Sequence, residues 1–153
     1  MKIRLIALGK TEEKYIAEGM ETYLKRIKQF IPLTFDALQV KSAAAAAQKK
    51  AEAEAVLSKL KPDDYLILLD EKGKSLTSVE FSTLIQQTQN RSTKQLVFLI
   101  GGAYGFEETV YARANYKLSL SNMTFPHQLV RLIFAEQLYR AYSILHNKPY
   151  HHS

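Results

Sequence analysis

Residues 96–125, LVFLIGGAYGFEETVYARANYKLSLSNMTF, contain two strand-like runs that each lead into a loop of small or polar residues. Residues 96–100 are apolar throughout and are followed directly by GGAYG. Residues 116–121, YKLSLS, are followed by a loop that ends near Phe125. A short apolar run bounded by turn residues is typical of a strand buried on both faces of a parallel sheet. The stretch therefore predicts two strands, with a short helix around residues 107–114 between them.

The rest of the chain alternates in the same way between strand-like and helix-like periodicity. Further strands are predicted at residues 2–8, 33–40 and 65–70, and further helices at residues 11–30, 42–60, 77–90 and 125–146. Strands that alternate with helices indicate an α/β fold with a mainly parallel sheet flanked by helices. Because no linker interrupts the pattern, the 153 residues are predicted to form a single domain.

Local signals support several of these elements. Thr77 and Glu80 fit a capping box at the start of a helix. Residues 42–60 have high helix propensity, but the first half of this segment, including the alanine run at residues 43–47, lacks a large apolar residue and is expected to be poorly defined. Residues 71–74 are predicted to form a glycine-containing loop. In the first helix, the apolar face is predicted to consist of Ile16, Met20, Tyr23, Leu24 and Ile27.

The composition limits the classes of function. There are 21 Lys and Arg against 15 Asp and Glu, a formal charge of +6, which is compatible with a polyanionic partner without requiring one. The absence of cysteine excludes thiol nucleophiles and thiolate metal sites and fits a cytoplasmic location. No apolar run approaches the roughly 20 residues of a membrane span. The apolar part of the opening MKIRLIALGK is too short for a secretory signal.

Ligands of parallel α/β sheets bind at the carboxyl ends of the strands. This rule selects three segments, LLDEKGK, IGGAYGF and SLSNMTF. Gly101, Gly102 and Gly105 form either a cofactor loop with accessible N–H groups or simply a tight turn. Neither the dinucleotide fingerprint GxGxxG nor the phosphate loop GxxxxGK is present, so dehydrogenase and ATPase functions lose support.

The last predicted helix combines an unusual start with two arginines. Pro126 suits a first helical turn, and Thr124 is the predicted N-cap, so free N–H groups there can hold a carboxylate or phosphate. Arg131 and Arg140 are candidates for phosphate binding, although Arg140 also fits a plain i,i+4 pair with Glu136. The apolar face, expected to be core or a subunit contact, consists of Val130, Ile133, Phe134, Leu138, Ala141 and Leu145.

The remaining titratable groups leave alternatives open. His127 is either a structural hydrogen-bonding group or a catalytic base. Asp70 and Glu71 are candidates for acid and base chemistry, or for capping their loop. No metal site is predicted, because no carboxylate at ligand spacing accompanies the other histidines: His146, His151 and His152. The end of the chain, NKPYHHS, is either a frayed terminus or vector remnant, or a tail that takes part in chemistry.

The chain resembles the ribosomal RNA large subunit methyltransferase H family, a small branch of the SPOUT methyltransferases. Four segments together carry the resemblance: MKIRLIALGK, IGGAYGF, LSLSNMTFPHQLVRLIFAEQLYRA and NKPYH. The resemblance spans essentially the whole chain and is most specific over its last third. It implies a C-terminal trefoil knot and S-adenosylmethionine as methyl donor. It also implies a homodimer with active sites at the subunit interface, and methylation of N3 of a pseudouridine in the 23S rRNA of assembled bacterial ribosomes.

Carried over to this sequence, the resemblance implies two groups of site residues. The cofactor contacts fall on Leu69, Gly101, Leu120, Ser121, Asn122, Met123, Thr124 and Phe125. Tyr150 and His151 are expected beside the partner's cofactor and the RNA, with His127 as a candidate base, Arg140 as a phosphate contact and Tyr142 in packing. On this basis PYH is the expected native ending. The competing hypothesis is a basic ribosome- or nucleotide-binding module without catalysis.

Overall fold

The computed structural model describes residues 1–41 and 44–152. In this part of the chain, strands and helices alternate as the sequence predicts: β1 (Lys2–Leu8), α1 (Lys14–Ile27), β2 (Leu33–Leu38), α2 (Ala45–Lys59), β3 (Tyr65–Ser75), α3 (Ser78–Asn90), β4 (Gln95–Ile100), α4 (Glu108–Arg113), β5 (Tyr116–Ser119) and α5 (His127–Leu145). All strand pairs are parallel, and the order across the sheet is β2-β1-β4-β3-β5. The predicted α/β fold with a parallel sheet is confirmed.

The sheet is covered on both faces by helices. Successive side chains of a strand point to opposite faces, so β1 places Ile3 and Leu5 in one apolar cluster and Ile6 and Leu8 in the other. The first cluster joins the sheet to α1, α3 and α5, and the second joins it to α2 and α4. This burial on both faces explains why the central strands are apolar runs without alternation.

The predicted helix faces are largely confirmed. Four of the five residues predicted on the face of α1 are buried, and Tyr23 is half-buried against the same cluster. On α5, Phe134, Leu138 and Ala141 are buried, and Val130 and Leu145 pack at the edge of the cluster. The helix α2 is continuous from Ala45, so the expectation of a poorly defined first half does not hold from that residue onward. The rest of this expectation concerns residues 42 and 43, outside the described residues.

The predicted loop at residues 71–74 is wrong. β3 continues to Ser75, and its pairing with β5 shifts register between Leu69 and Lys74. Gly73 lies at this irregularity, where an added Cβ would come within 2.7 Å of the backbone carbon and oxygen of Lys117. Only glycine allows the two backbones to approach so closely. The extension holds β3 against β5 beyond the point where a loop was expected.

The capping box at the start of α3 is present as predicted. The Thr77 side chain accepts a hydrogen bond from Glu80 N at 3.1 Å, and Thr77 N donates to Glu80 Oε1 at 2.8 Å. We expect Thr77→Ala to lower the free energy of unfolding by about 1 kcal/mol, because one helix N–H loses its partner. Chemical denaturation checks this value. Thr77→Ser, which keeps the hydroxyl, serves as the control, and equal losses in both variants would contradict a capping role.

Candidate functional site

The carboxyl ends of β3, β4 and β5 surround a cleft that opens at the edge of the sheet. It consists of two adjoining cavities of about 400 and 60 Å³, which share Leu69, Asp70, Glu71, Phe125 and Val130. We call the two together the strand-end cleft. Their other lining residues come from the ends of the strands, from the loops after β4 and β5, and from α4 and α5: Lys72, Ile100, Gly101, Gly102, Ala103, Gly105, Phe106, Tyr111, Leu118, Ser119, Leu120, Ser121, Met123 and His127.

One wall of the cleft consists of backbone and apolar side chains. Gly105 has φ +75°, in the left-handed region that favours glycine. The ring of Phe106 is buried and lies so close to Gly101 that an added Cβ there would be 3.0 Å from its Cζ atom. Together with Val130 on α5, this ring offers apolar surface next to accessible main-chain groups. Such a wall suits a flat heteroaromatic ring that pairs with backbone N–H and C=O groups.

The opposite side of the cleft is acidic. Asp70 and Glu71 end the buried part of β3 and line both cavities. Asp70 Oδ1 accepts a hydrogen bond from Lys72 N at 3.2 Å, which turns its carboxylate back over the strand end. Burial, followed by the negative charge of Asp70, raises the pKa of Tyr111. The cleft therefore offers negative charge to a cationic group.

Hydroxyl and amide groups fix the loop between β5 and α5. Ser119 Oγ donates to Ser121 O at 2.8 Å, and Ser121 Oγ accepts from Met123 N at 3.0 Å. Asn122 Oδ1 accepts from Ser75 Oγ at 3.1 Å, which ties the loop to the extension of β3. Met123 is 75% exposed at the mouth of the smaller cavity. The polar residues of this loop thus set its shape, while its apolar residues face the cleft or solvent.

The start of α5 differs from the prediction. The N-cap is Pro126, without a side-chain capping bond, so the prediction of Thr124 as N-cap is wrong. Pro126 sits in an extended conformation with ψ 139°, and the helix begins one residue later at His127. His127 is exposed and lines the larger cavity of the cleft. The first turn of α5 therefore presents its side chains, rather than a capped end, to the strand-end cleft.

Arg131 is not available to bind phosphate. Its side chain is fully buried, and its guanidinium donates to Leu8 O, Gly9 O and Thr11 Oγ1, each at 2.9 Å. Burial lowers its pKa. The three bonds tie the first turns of α5 to the end of β1, so Arg131 positions the helix that forms one side of the cleft.

The tail folds onto α5 of its own chain, away from the strand-end cleft. Arg140 Nε donates to Glu136 Oε1 at 2.9 Å, and Arg140 Nη1 lies 3.0 Å from His151 Nδ1. The Tyr150 hydroxyl donates to Glu136 Oε1 at 3.1 Å and lies 3.5 Å from the Tyr23 hydroxyl. The guanidinium of Arg140 also stands 4.9 Å from the centre of the Tyr150 ring. These contacts, here called the tail cluster, hold Tyr150 and His151 half-buried.

Contacts within the tail cluster raise the pKa of Tyr150 and of Arg140. Desolvation, the hydrogen bond with Tyr23 and the charge of Glu136 raise the pKa of Tyr150 well above its usual range. The hydrogen bond to Glu136 is the main cause that raises the pKa of Arg140. In this arrangement Tyr150 is a hydrogen-bond donor at neutral pH and does not act as a base.

Comparison with known proteins gives the family. Residues 1–151 match the family model described as a predicted SPOUT methyltransferase. A curated relative from Parabacteroides distasonis, named ribosomal RNA large subunit methyltransferase H, is 49% identical over 156 residues and covers 99% of both chains. Relatives of the same name from Flavobacterium johnsoniae and Trichlorobacter lovleyi are 49% and 45% identical, and each alignment covers at least 99% of both chains. The chain belongs to the ribosomal RNA large subunit methyltransferase H family of SPOUT methyltransferases.

Among solved structures, the chain is also similar to the SpoU methyltransferase AviRb from Streptomyces viridochromogenes, whose structure is a complex with AdoMet. The match has a TM-score of 0.44 and 11% identity, and it covers 96% of this chain but only 61% of AviRb. A likeness this weak adds nothing to the argument. Family membership itself confirms the resemblance drawn from the sequence and the assignment to a methyltransferase. The C-terminal trefoil knot stays a prediction.

Most predicted cofactor residues meet in the strand-end cleft. Six of the eight line it: Leu69, Gly101, Leu120, Ser121, Met123 and Phe125. Asn122 and Thr124 belong to the same loop, but they do not line either cavity, and Asn122 is engaged with Ser75. Of the predicted catalytic residues, His127 is at the cleft, whereas Arg140, Tyr150 and His151 form the tail cluster.

The sequence interpretation missed the apolar walls. Phe106 and Val130 line the cleft although neither was selected as a site residue. Phe106 directly follows GGAYG, which was the available signal, and Val130 was assigned only to a core face. No cluster of three or more His, Cys, Asp or Glu side chains that could hold a metal ion occurs in the described residues. Within the same residues, no helix is long and apolar enough to cross a membrane.

Proposed function

We propose that this protein transfers a methyl group from S-adenosylmethionine to N3 of a pseudouridine in the 23S rRNA of the assembled ribosome. The observation that carries the proposal is the strand-end cleft, which brings together residues 69–72 of β3 and the loops after β4 and β5 in a member of this family. The relatives' shared name supports ribosomal RNA as the substrate. The formal charge of +6 suits a polyanionic substrate, and a ribosomal substrate supports a cytoplasmic location.

The cleft fits the proposed cofactor. The larger cavity, of about 400 Å³, lies within the usual range for small-molecule sites. The ring of Phe106 and the neighbouring backbone suit an adenine ring, while Asp70 and Glu71 suit the cationic groups of the cofactor. S-adenosylmethionine supplies an activated methyl group when bound. The protein's own task is then to align the target nitrogen and to assist loss of its proton.

A candidate base for the proton at N3 lies at the start of α5. His127 is exposed at the first turn of α5 and lines the larger cavity of the cleft. Tyr150 is unsuited, because its raised pKa keeps it protonated. We therefore propose that Tyr150 donates a hydrogen bond and helps to position the RNA, and that His127 is the candidate base.

The position of the tail supports a homodimer. The tail cluster lies on α5 of its own chain and does not line its own cleft. On a helix, Ile133, Glu136, Arg140 and Ile144 share one face, so the tail cluster lies beside two half-buried isoleucines. We propose that this face contacts a second copy and that each tail reaches the partner's cofactor. Such a dimer would also present twice the basic surface to the ribosome.

The test combines cofactor binding with methyl transfer. We expect purified protein to bind S-adenosylmethionine in calorimetry and to transfer labelled methyl groups to ribosomes that lack the modification. Native mass measurement should give twice the mass of one chain. Ribosome binding without methyl transfer would favour the alternative, a basic module without catalysis. Absence of both cofactor binding and transfer would contradict the proposed function.

A further inference from the structure

A more polar cavity opens beside the strand-end cleft and has no part in the function proposed so far. Its volume is about 230 Å³, and it shares Gly102, Ala103 and His127 with the larger cavity of the cleft. We call it the side cavity. Its polar side chains come from the β1–α1 loop, α2, the turn after β4 and α5: Lys10, Glu12, Gln48, Glu52, Tyr104, His127 and Gln128.

The deepest polar group of the side cavity is a carboxylate. Glu52 is only 7% exposed, and its Oε2 would lie 3.7 Å from a Cβ added at Gly102, directly behind the turn after β4. Gln48 Nε2 donates to this oxygen at 3.1 Å, and the same amide nitrogen also donates to Val40 O. Glu52 takes part in none of the ion pairs found among residues 1–41 and 44–152.

A carboxylate so buried, with one neutral donor, retains unused acceptor capacity. An ionised carboxylate offers about four acceptor positions. Neither oxygen of Glu52 is a buried atom that lacks a hydrogen-bond partner, so its unused acceptor positions open to the cavity and are available to a ligand that donates to them. Two carboxylates, Glu12 and Glu52, face only one lysine in this cavity, which disfavours a phosphate. The lining favours a ligand that donates N–H groups to these carboxylates.

One wall of the side cavity, the β1–α1 loop, is held in place by side chains of α5. Gln128 Oε1 accepts from Glu12 N at 3.0 Å, and Gln128 Nε2 donates to Lys10 O at 3.1 Å. The buried Arg131 holds the same loop through Leu8 O and Gly9 O. A polar cavity with this loop fixed suits selection of one ligand by its pattern of donors and acceptors.

We propose that the side cavity receives the target base and that the Glu52 carboxylate accepts a hydrogen bond from N1–H of pseudouridine. The inference rests on the proposed function, because the cavity joins the cleft at His127 and places a base next to the methyl donor. Pseudouridine is linked to its ribose through carbon, so its N1 keeps a hydrogen that uridine lacks. Uridine would leave Glu52 without this donor, which gives a physical reason for discrimination.

The test measures methyl transfer to two kinds of ribosome, one with pseudouridine and one with uridine at the target position. We expect Glu52→Ala to lower kcat/KM for the pseudouridine ribosomes by about 10- to 100-fold, toward the value of the unaltered protein with uridine ribosomes. Glu52→Gln keeps an oxygen acceptor and should retain most of the preference for pseudouridine. The dissociation constant for S-adenosylmethionine should be unchanged in both variants.

A second variant avoids the risk that altering a buried residue unfolds the protein. Ala45 is exposed at the start of α2 and lines the side cavity but not the strand-end cleft. Ala45→Leu should therefore narrow the side cavity, lower transfer to pseudouridine ribosomes, and leave cofactor affinity and thermal unfolding unchanged. Full activity in this variant would overturn the proposal.

The remaining outcomes are equally decisive. Weaker S-adenosylmethionine binding by Glu52→Ala, in proportion to lost activity, would assign the side cavity to the cationic end of the cofactor and overturn the proposal. If Glu52→Ala loses the same factor in kcat/KM on both kinds of ribosome, the proposed contact with N1–H is wrong. It is also wrong if the unaltered protein does not prefer pseudouridine to uridine. If the unaltered protein transfers no methyl group to either ribosome, the proposed function itself fails, and the assignment of Glu52 fails with it.

Discussion

Gly101→Val is expected to weaken S-adenosylmethionine binding by at least about 100-fold, or roughly 2.7 kcal/mol of binding free energy. The reason is the short distance between Gly101 and the ring of Phe106. A Cβ at residue 101 would stand 3.0 Å from Cζ and 3.2 Å from Cε1 of Phe106, closer than ordinary side-chain contacts. The Phe106 ring would have to move, and the two further methyl groups of valine would add to the crowding.

The displaced ring matters because it lines the same cleft. Phe106 is buried and packs edge-on against Tyr111, with 5.7 Å between ring centroids and planes at 90°. A shift of Phe106 is therefore expected to disturb Tyr111, which lies beside Asp70 at the acidic side of the cleft. One substitution thus alters both proposed contact regions, and calorimetry with S-adenosylmethionine measures the combined effect.

Gly19→Ala is the matched control for crowding elsewhere in the molecule. Its added Cβ would meet the end of the Leu132 side chain at 2.6 Å, on the packed surface between α1 and α5. This flexible end can rotate away, so we expect a folded protein with unchanged cofactor affinity. Thermal unfolding of both variants separates instability from loss of the site. Normal affinity in a folded Gly101→Val protein would contradict the placement of the cofactor.

The sheet and its ligand edge could be predicted because local signals determine them. Apolar runs at residues 65–69 and 96–100 are long enough to require burial on both faces, and the alternation with helices requires parallel pairing. Parallel strands end at the same edge, so Leu69, Gly101 and Leu120 had to lie near one another. Six of the eight predicted cofactor residues meet there for this reason.

Features that depend on distant contacts could not be predicted. Arg131 is buried because carbonyl oxygens as far as 123 positions earlier in the chain surround its guanidinium, and an arginine on a helix gives no sign of such partners. Gly73 continues a strand because the backbone of Lys117 lies against it. The local sequence EKGK indicates only a turn. No sequence pattern marked Glu52 as a site residue either, because it belongs to an alanine-rich helix without an evident apolar face.

Removal of the residues after Pro149 is expected to lower methyl transfer by at least about 100-fold while cofactor affinity changes by less than about threefold. The proposed dimer brings each tail to the partner's cofactor, so the deletion removes groups that align the RNA. It leaves the strand-end cleft intact, because neither Tyr150 nor His151 lines it. Single-turnover transfer to ribosomes and calorimetry with S-adenosylmethionine measure the two quantities separately.

The contacts of the tail indicate which part of it carries the effect. Tyr150 and His151 are held by Glu136 and Arg140, whereas His152 is exposed. Removal of residues 152 and 153 alone is therefore the matched control, and it should retain most of the transfer. Glu136→Gln weakens the attachment of Tyr150 and Arg140 without shortening the chain, so it should lower transfer by an intermediate amount. Unchanged turnover after the longer deletion would show that the tail is a frayed end without a role in the reaction, since a residue that aligns the substrate cannot be removed without slowing the reaction.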